Sequence, residues 1–539
     1  MKRFTNLTLS ILCGLLLFAA WPVSSFTLLI FVAWVPLLWL ESKVQSRKKF
    51  FGLTYITMFV WNVCTTWWIW NASAPGALAA FFANSFIMCL PWLGYKVAKK
   101  WLTQTYPNWG QTLSYVALIA FWMCFEYIHL QDWGLSWPWL TLGNAFATHT
   151  EWIQWYEYTG ASGGTLWILL SNVLIFSLLT EYNNYGRSKK YFRTVAALLV
   201  VLITPSVLFN LLIHKSTAPL QGTNIVVVQP NIDPYEKITV GTTEAQLQKL
   251  IVTTEKGMDE YTGLVVWPET ALYVERGIDE EKMKENFFLN PLWSFLQRHP
   301  NVGLFTGVES YRVFDHKTKT SEEFNGFHLE SYNGSVLLDS SGAKAFYHKS
   351  MLVPGVETLP WFLKFLSKWF DKFGGTTAGY TRQDSRTVLD EKHGYKIAPA
   401  ICYESIYGEF MSRYVRNGAN LICIITNDGW WKKTPGHKQH MNYARLRAIE
   451  TRTWVARSAN TGISCFIDPN GQVYNPQPYD TQAAIKLPVY FMNKQTFFVR
   501  NGDILSKIMI VLAGVFLMWV IYLKVMKRFF KSKFPALQE

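Results

Sequence analysis

The stretch Ile397-Ala-Pro-Ala-Ile-Cys-Tyr-Glu404 carries the main signal for fold and chemistry in this sequence. A short, near-continuous apolar run of this kind is typical of a strand that is buried on both faces of a sheet. The run ends in a cysteine, a tyrosine and a glutamate, and a stretch with helical character follows near 405–416. We therefore expect Cys402 at a strand-to-helix turn, where its thiol can meet a substrate.

Further apolar runs of strand length occur between residues 215 and 500. They are Asn224-Ile-Val-Val-Val-Gln229, Leu264-Val-Val-Trp267, Val302-Gly-Leu-Phe-Thr306, Leu421-Ile-Cys-Ile-Ile-Thr426 and Ile463-Ser-Cys-Phe-Ile-Asp468. Helical stretches are expected near 242–258, 280–298, 405–416 and 437–457. Strands separated by helices predict a layered α/β domain. We expect this domain to extend over residues 215–500.

Two more segments of this domain end in polar residues. In Val265-Val-Trp-Pro-Glu-Thr270 the proline stops regular strand pairing and presents Glu269, and Phe346-Tyr-His-Lys-Ser350 presents Lys349. A thiolate can act as a nucleophile, a carboxylate can take its proton, and an ammonium can stabilise an oxyanion. The alternative makes each residue separate: a buried cysteine, a surface lysine and a turn glutamate. Cys423 and Cys465 have apolar strand neighbours, so we expect them to be buried and inert.

The composition of the chain and the apolar segments outside residues 215–500 indicate a membrane protein. Half of the 539 residues are hydrophobic, 16% are aromatic and only 16% are charged, and aromatic rings are common at membrane interfaces. Eight apolar segments approach spanning length. They lie near 6–22, 25–40, 50–70, 75–95, 112–130, 160–180, 194–213 and 504–523. The sequence thus predicts a seven-helix membrane domain at 1–214, and a last span with a basic tail at 501–539.

The distribution of charge predicts the orientation. Residues 1–214 and 501–539 hold 19 Lys/Arg and 8 Asp/Glu, which leaves +11 of the total +14, whereas residues 215–500 hold 32 and 29. The loops around 71–75 and 131–156 contain no lysine or arginine, and every basic cluster falls on one side if all eight segments span. The positive-inside rule then places both termini in the cytoplasm and residues 214–503 in the periplasm of a bacterial inner membrane.

Several other classes of protein and site are disfavoured. The basic excess lies among apolar segments instead of on a soluble face, which argues against nucleic-acid binding. The seven cysteines show no spacing typical of a disulfide framework or a zinc site. The two-residue gap between His437 and His440 is a poor arrangement for a metal, so ordinary helix polarity is favoured. Met1-Lys2-Arg3 could begin a cleaved signal peptide, but the second apolar segment favours a retained helix.

Together these motifs resemble the nitrilase superfamily. Trp267-Pro-Glu269, His348-Lys349 with Leu352-Val-Pro354, and Ile401-Cys-Tyr-Glu404 match its Glu, Lys and Cys motifs in order. Seven spans before the domain and one after it resemble the apolipoprotein N-acyltransferase family. That resemblance covers nearly the whole chain.

The resemblance implies a polytopic helical membrane domain joined to an α-β-β-α sandwich. It implies Glu269 as base, Lys349 as oxyanion stabiliser and Cys402 as acylated nucleophile, with Glu357, Tyr403 and Glu404 as substrate-binding or supporting residues. The implied reaction is ping-pong: a phospholipid donates an acyl chain to the cysteine, and the α-amine of a diacylglyceryl apolipoprotein accepts it. No metal or organic cofactor is implied, and a monomer is expected.

Two other functions remain open at this point. A membrane-anchored amidase or nitrilase would use the same triad, although one anchor would suffice for a soluble substrate. A transporter with an outer domain would need polar residues inside the spans, and these are sparse.

Two features outside the triad carry weaker signals. The aromatic residues between 359 and 373 recur at helical spacing with lysines between them, as in an interfacial helix, although a surface helix packed on the domain's own core gives the same pattern. Glu126 and Asp132, at the end of the fifth span, are either functional or simple anchors.

Overall fold

A computed structural model describes residues 2–212, 223–235, 243–275, 277–358, 365, 379–491 and 495–533. Its α-helices, numbered here along the chain, are α1 Lys2–Ala19, α2 Val35–Lys43, α3 Arg47–Thr66, α4 Ala74–Leu78, α5 Asn84–Thr105, α6 Gly110–His129, α7 Tyr156–Thr159, α8 Ala161–Tyr185, α9 Lys189–Leu212, α10 Thr243–Gly257, α11 Asn290–Arg298, α12 Gly408–Arg416, α13 Pro435–Thr451, α14 Phe497–Asn501 and α15 Ile504–Lys533.

Five helices in the described part of the chain are long and apolar enough to cross a bilayer. They are the continuous helix Ala74–Thr105, which joins α4 to α5 through one π-helical turn, together with α6, α8, Lys189–Val207 of α9 and Ile504–Lys527 of α15. The apolar part of α1, Thr5–Ala19, is shorter. The prediction of a multi-pass membrane protein is confirmed, with a smaller number of clear spans than the eight expected.

The segment 25–40 differs from the prediction because it is not a single helix. It forms a 3₁₀ turn at Thr27–Phe31 and then the nine-residue α2, which begins beside Pro36. Nine residues rise only about 14 Å, roughly half of a bilayer core. The backbone groups that this interruption leaves without helical partners bond to a neighbouring helix. Asn172 of α8 accepts from the Trp34 N–H and donates to the carbonyl of Ile30.

The α/β domain contains two sheets. Its strands are β1 Asn224–Gln229, β2 Thr262–Val266, β3 Ile278–Asp279, β4 Gly303–Phe314, β5 Glu322–Phe324, β6 Phe327–Asp339, β7 Gly342–His348, β8 Leu389–Asp390, β9 Lys396–Ile401, β10 Leu421–Thr426, β11 Trp454–Ala459, β12 Cys465–Ile467, β13 Val473–Tyr474 and β14 Ala483–Pro488. The first sheet has the order β14-β1-β2-β4-β6-β5, with β3 on β4 and β7 on β6, and the second has the order β13-β12-β11-β10-β9-β8.

The sheets pack face to face with helices outside, as the alternation along β1 demonstrates. Ile225 and Val227 point into the core shared with β9 and β10, whereas Val226 and Val228 pack with residues of α10 and α11. Successive strand side chains alternate faces, and both faces are covered here, which is why β1 reads as an unbroken apolar run. The predicted α-β-β-α arrangement is confirmed.

Helix and strand boundaries depart from the prediction in one informative place. The helix expected at 437–457 ends at Thr451, where Arg452 has a left-handed backbone with φ 51°, and Trp454–Ala459 forms β11. The residues of β11 alternate little in polarity, so the periodicity of the sequence alone could not distinguish a buried strand from a continuing helix.

Candidate active site

The carboxyl ends of two strands, one from each sheet, bring Glu269 and Cys402 to one place. Glu269 follows β2, and its Oε2 accepts from the backbone N–H of Asn427, directly after β10, at 3.1 Å. Cys402 follows β9, which pairs in parallel with β10. Since β9 and β10 run in parallel, Cys402 and Asn427 lie at the same edge of their sheet, and the hydrogen bond from Asn427 joins Glu269 of the other sheet to that edge.

Glu269 is held in a tight backbone turn. It is only 7% exposed, and Thr270 beside it has φ 51°, a left-handed conformation that is costly for a β-branched residue. On the neighbouring β4, a Cβ added to Gly307 would lie 2.7 Å from the Glu269 Cα. A glycine is therefore required at position 307 for the backbone to approach so closely.

Lys349 is fully buried between two carboxylates. Its Nζ lies 2.8 Å from Glu357 Oε1 and 3.4 Å from Glu269 Oε1, and it is 1% exposed. Burial by itself lowers the pKa of Lys349, but the charges of Glu357 and Glu269 outweigh it and raise the pKa above its ordinary value. Lys349 is thus held as an ammonium, and a fixed positive charge of this kind can stabilise an oxyanion.

Cys402 has a strained backbone and a protonated thiol. Its φ of 53° lies in the left-handed region, at the sharp turn between β9 and the 3₁₀ turn Cys402–Ile406. Burial and then the charge of Glu269 raise the pKa of the thiol well above its usual value, against the opposing effect of Lys349. A thiol with a raised pKa needs a base before it can react, and the charge of Glu269 acts on this thiol.

Glu357 and Asn333 complete the charged cluster. The Nδ2 of Asn333, in β6, donates to Glu269 at 3.0 Å and to Glu357 at 2.8 Å, so that one amide bridges both carboxylates. Glu357 also accepts from the Val353 N–H at 2.8 Å. The sequence prediction missed Asn333; an asparagine within a strand is disfavoured, and that is the one signal that could have pointed to it.

Glu404 joins the nucleophile turn to the lysine loop. It is fully buried and accepts hydrogen bonds from Tyr347 Oη, the Ser350 and Met351 N–H groups and, through its other oxygen, the Ile401 N–H. Burial raises the pKa of Glu404, and these donors counter the increase. These hydrogen bonds to its carboxylate all come from protein groups around Cys402 and Lys349, so Glu404 holds the turn and the loop together.

Tyr403 connects the nucleophile turn to the membrane region. Its Oη donates to the carbonyl of Ser136 at 2.8 Å, and its ring stacks on Trp137 with centroids 5.8 Å apart and an interplanar angle of 7°. Ser136 and Trp137 follow α6, which is one of the membrane-spanning helices. The site therefore lies against the membrane region and not on a free face of the α/β domain.

A second buried charged group lies beside Cys402, and the sequence analysis did not connect its histidine to the site. His440 Nε2 is 3.1 Å from the carbonyl oxygen of Cys402, and its Nδ1 is 2.9 Å from Asp428, which pairs with Arg457 at 2.7 Å. Ordinary helix polarity was the expectation for His440, and it is wrong here because the ring is completely buried. Among the described residues no group of three or more His, Cys, Asp or Glu side chains could hold a metal.

The remaining candidates lie apart from the triad. Glu126 is buried and anchors structure: it accepts from Trp122, from the N–H of Leu142 and from Thr165 of α8. Asp132 pairs with Arg382. The aromatic stripe expected at 359–373 lies outside the described residues except for Phe365, which is exposed.

Removal of the bridging amide offers a first test of the cluster. We expect Asn333→Ala to lower kcat about 10-fold to 100-fold with little change in KM, because the hydrogen bonds to the carboxylates of Glu269 and Glu357 are both lost. Asn333→Asp should be slower still, since it adds a third carboxylate. Ser331→Ala, an exposed position two residues earlier on β6, is the matched control and should leave turnover unchanged. An Asn333→Ala enzyme with full kcat would contradict a positioning role.

Comparison with known protein families separates the chain into a membrane part and an α/β part, as the structure does. Residues 224–487 match the carbon-nitrogen hydrolase family, and residues 13–174 match the apolipoprotein N-acyltransferase N-terminal domain.

Related proteins match either nearly the whole chain or about two thirds of it. An apolipoprotein N-acyltransferase of Chlorobaculum tepidum is 29% identical over 94% of this chain and 95% of its own. One of Rickettsia prowazekii is 33% identical over 65% of each chain. Among solved structures, Saccharomyces cerevisiae Nit3, a member of branch 10 of the nitrilase superfamily, aligns over 50% of this chain and 89% of its own, with 18% identity and a TM-score of 0.35.

Proposed function

Since the chain belongs to the apolipoprotein N-acyltransferase family, within the nitrilase superfamily, we propose that it transfers an acyl chain from a phospholipid to the N-terminal α-amine of a diacylglyceryl apolipoprotein. The observation that carries this proposal is the position of the nucleophile turn, which Tyr403 ties to the loop after α6. A thiol in that place lies beside the membrane region, where the lipid substrates are.

The first half-reaction acylates the enzyme. Glu269 takes the proton of Cys402, and the sulfur attacks the ester carbonyl of the phospholipid. The developing oxyanion is stabilised by the Lys349 ammonium. As the tetrahedral intermediate collapses, a C–S bond replaces the C–O bond, and the lysophospholipid oxygen leaves with the proton that Glu269 returns.

The second half-reaction releases the acyl chain to the acceptor. The α-amine attacks the thioester carbonyl, and Glu269 takes a proton from the amine nitrogen. A C–N bond forms, the C–S bond breaks, and the proton returns to the sulfur of Cys402. Glu357 and Asn333 hold Lys349 and Glu269 in place through both steps.

The competing function is hydrolysis of the thioester by water, as in an amidase. The two differ in product: a transferase yields an N-acylated lipoprotein, whereas a hydrolase yields free acid. Incubation of the full chain with phospholipid and a diacylglyceryl peptide, followed by mass analysis of the peptide, tests the proposal. Free fatty acid without a gain of peptide mass would refute it.

We also propose that residues 214–503 face the periplasm, with the membrane domain at 1–214, the catalytic domain at 215–500 and the last span at 501–539. The five clear spans support this orientation, because their basic residues stand at the end of α5, between α8 and α9 and at the end of α15, which the positive-inside rule places in the cytoplasm. Glu269, Lys349 and Cys402 then work on the outer side of the inner membrane.

A labelling experiment tests the orientation. Asp315 is almost fully exposed after β4, and Arg187 is exposed between α8 and α9. In intact spheroplasts a membrane-impermeant maleimide should label Asp315→Cys above the background of the native cysteines, and should label Arg187→Cys only after permeabilisation. The reverse pattern would overturn the orientation.

A further inference from the structure

A basic cavity of about 780 Å³ lies at the far end of the membrane region from the catalytic site, where α5 ends and α3 begins. Its lining comes from the α2–α3 connection and from the last turns of α5. The cationic members of that lining are Arg47, Lys48, Lys96, Lys99 and Lys100. Among the described residues that line it, the one carboxylate is Glu41.

Glu41 already has its partners. It is 4% exposed at the side chain and pairs with Lys96 at 3.2 Å and also with Lys99. Lys96 additionally donates to the backbone carbonyl of Glu41 at 3.0 Å. This buried group fixes α5 to the end of α2 and holds two ammonium groups at the wall of the cavity.

Three cations of the lining are left without a carboxylate. Arg47, Lys48 and Lys100 are exposed, and none takes part in an ion pair with a described residue. Five cations and one carboxylate leave a formal charge of +4 in one concave site. Ser46 begins α3 there by accepting the Lys49 N–H, so the N-terminal end of a 20-residue helix adds a positive dipole.

The surrounding aromatic residues place the cavity at the level of lipid headgroups. Trp101 follows Lys100 directly, and Lys527 of α15 lies 5.5 Å over its ring. Lys43 lies 4.5 Å over the ring of Trp39, at the end of α2. Tryptophan rings with flanking lysines are characteristic of the boundary between hydrocarbon and headgroups.

From these contacts we infer that the cavity binds the phosphate-bearing headgroup of an anionic phospholipid, at a site separate from the proposed acyl donor site. The phosphate lies among Arg47, Lys48 and Lys100, and the acyl chains extend along α3 and α5. A bound headgroup neutralises the excess charge and braces the α2–α3 connection against α5. Basic pockets between membrane helices are a recurrent mode of anionic lipid recognition.

Binding of a lipid that cannot react tests this site independently of acyl transfer. The probe is ether-linked phosphatidylglycerol, which has no ester for Cys402 to attack, and native mass spectrometry of the full chain in detergent counts the bound molecules. We expect Arg47→Gln/Lys48→Gln/Lys100→Gln to bind it on the order of 100-fold more weakly. These side chains are exposed and unpaired, so the variant should fold normally.

The control variant is Arg187→Gln/Lys189→Gln/Arg193→Gln, which removes three exposed cations from the α8–α9 connection and the first two turns of α9. It should bind phosphatidylglycerol like the parent, and ether-linked phosphatidylcholine should bind weakly to all three proteins. Equal losses in both variants, or no loss in either, would overturn the proposal. Competition by glycerol 3-phosphate or inorganic phosphate as strong as by the lipid would also overturn it, because the ligand would then be a soluble anion.

Discussion

Incubation of the protein with phospholipid in the absence of an acceptor amine should add one acyl mass to Cys402 and to no other cysteine. A ping-pong enzyme must hold the acyl group between its two substrates, so the thioester accumulates when the second substrate is withheld. Neutral hydroxylamine should release the added mass, since it cleaves thioesters. Digestion and peptide mass mapping locate the modified residue.

Substitution of the nucleophile should remove nearly all activity. Cys402→Ser keeps the size and the strained turn but replaces the thiol with an alcohol of much higher pKa, which Glu269 cannot deprotonate usefully. We expect turnover to fall by a factor of at least about 1,000, as it does when the nucleophile of other enzymes is replaced. Glu269→Gln should slow acylation in the same assay because the base is lost.

Two other cysteines of the same domain provide matched controls. Cys423 lies in β10 and Cys465 in β12, both are completely buried, and burial raises the pKa of each thiol. Cys423→Ala and Cys465→Ala should therefore acylate at Cys402 as the parent does. Acyl mass on either of these residues, or full transfer by Cys402→Ser, would refute the assignment of the nucleophile.

The sequence could predict this site because its main parts are local. Cys402 and Glu269 each follow an apolar strand directly, so each is presented at a strand end that the sequence pattern reveals. The residues that the prediction missed act at long range. Asn333 reaches Glu269 across 64 positions, and His440 reaches the carbonyl of Cys402 across 38, so that neither contact has a signature in sequence spacing.

The membrane region was predicted less accurately for a similar physical reason. Hydropathy reports the apolar character of 25–40 but not its shape, and a segment that is buried in protein can break its helix if a neighbour satisfies the freed backbone groups. Asn172 does so for the carbonyl of Ile30, and it lies 142 positions away in α8. Apolar length therefore overestimated the number of helices that cross the bilayer.

Replacement of the buried lysine should affect catalysis and stability together. Lys349→Met preserves the apolar stem but removes the ammonium that lies between Glu357 and Glu269. Acylation should fall about 100-fold to 1,000-fold because the oxyanion loses its partner. The free energy of unfolding should fall by about 3–5 kcal/mol, since two buried carboxylates are left without their cation.

A second substitution separates the two effects. Lys349→Met/Glu357→Gln removes one of the stranded carboxylates, so it should recover much of the lost stability in thermal unfolding while acylation stays low. Recovery of acylation along with stability would mean that Lys349 acts only as a structural counterion.

The control for both variants is another lysine of the same hairpin. Lys344 lies in β7 with its side chain 44% exposed, and it pairs with Asp339 at 3.3 Å near the surface. Lys344→Met should change stability by less than about 1 kcal/mol, because exposed ion pairs contribute little, and should leave acylation at the parent rate. The contrast between two lysines five residues apart then measures how much burial beside Glu269 and Glu357 adds to the effect of a lysine on stability and on the acylation rate. If Lys349→Met acylates as fast as Lys344→Met, the oxyanion is stabilised by another group and the assignment of Lys349 is wrong.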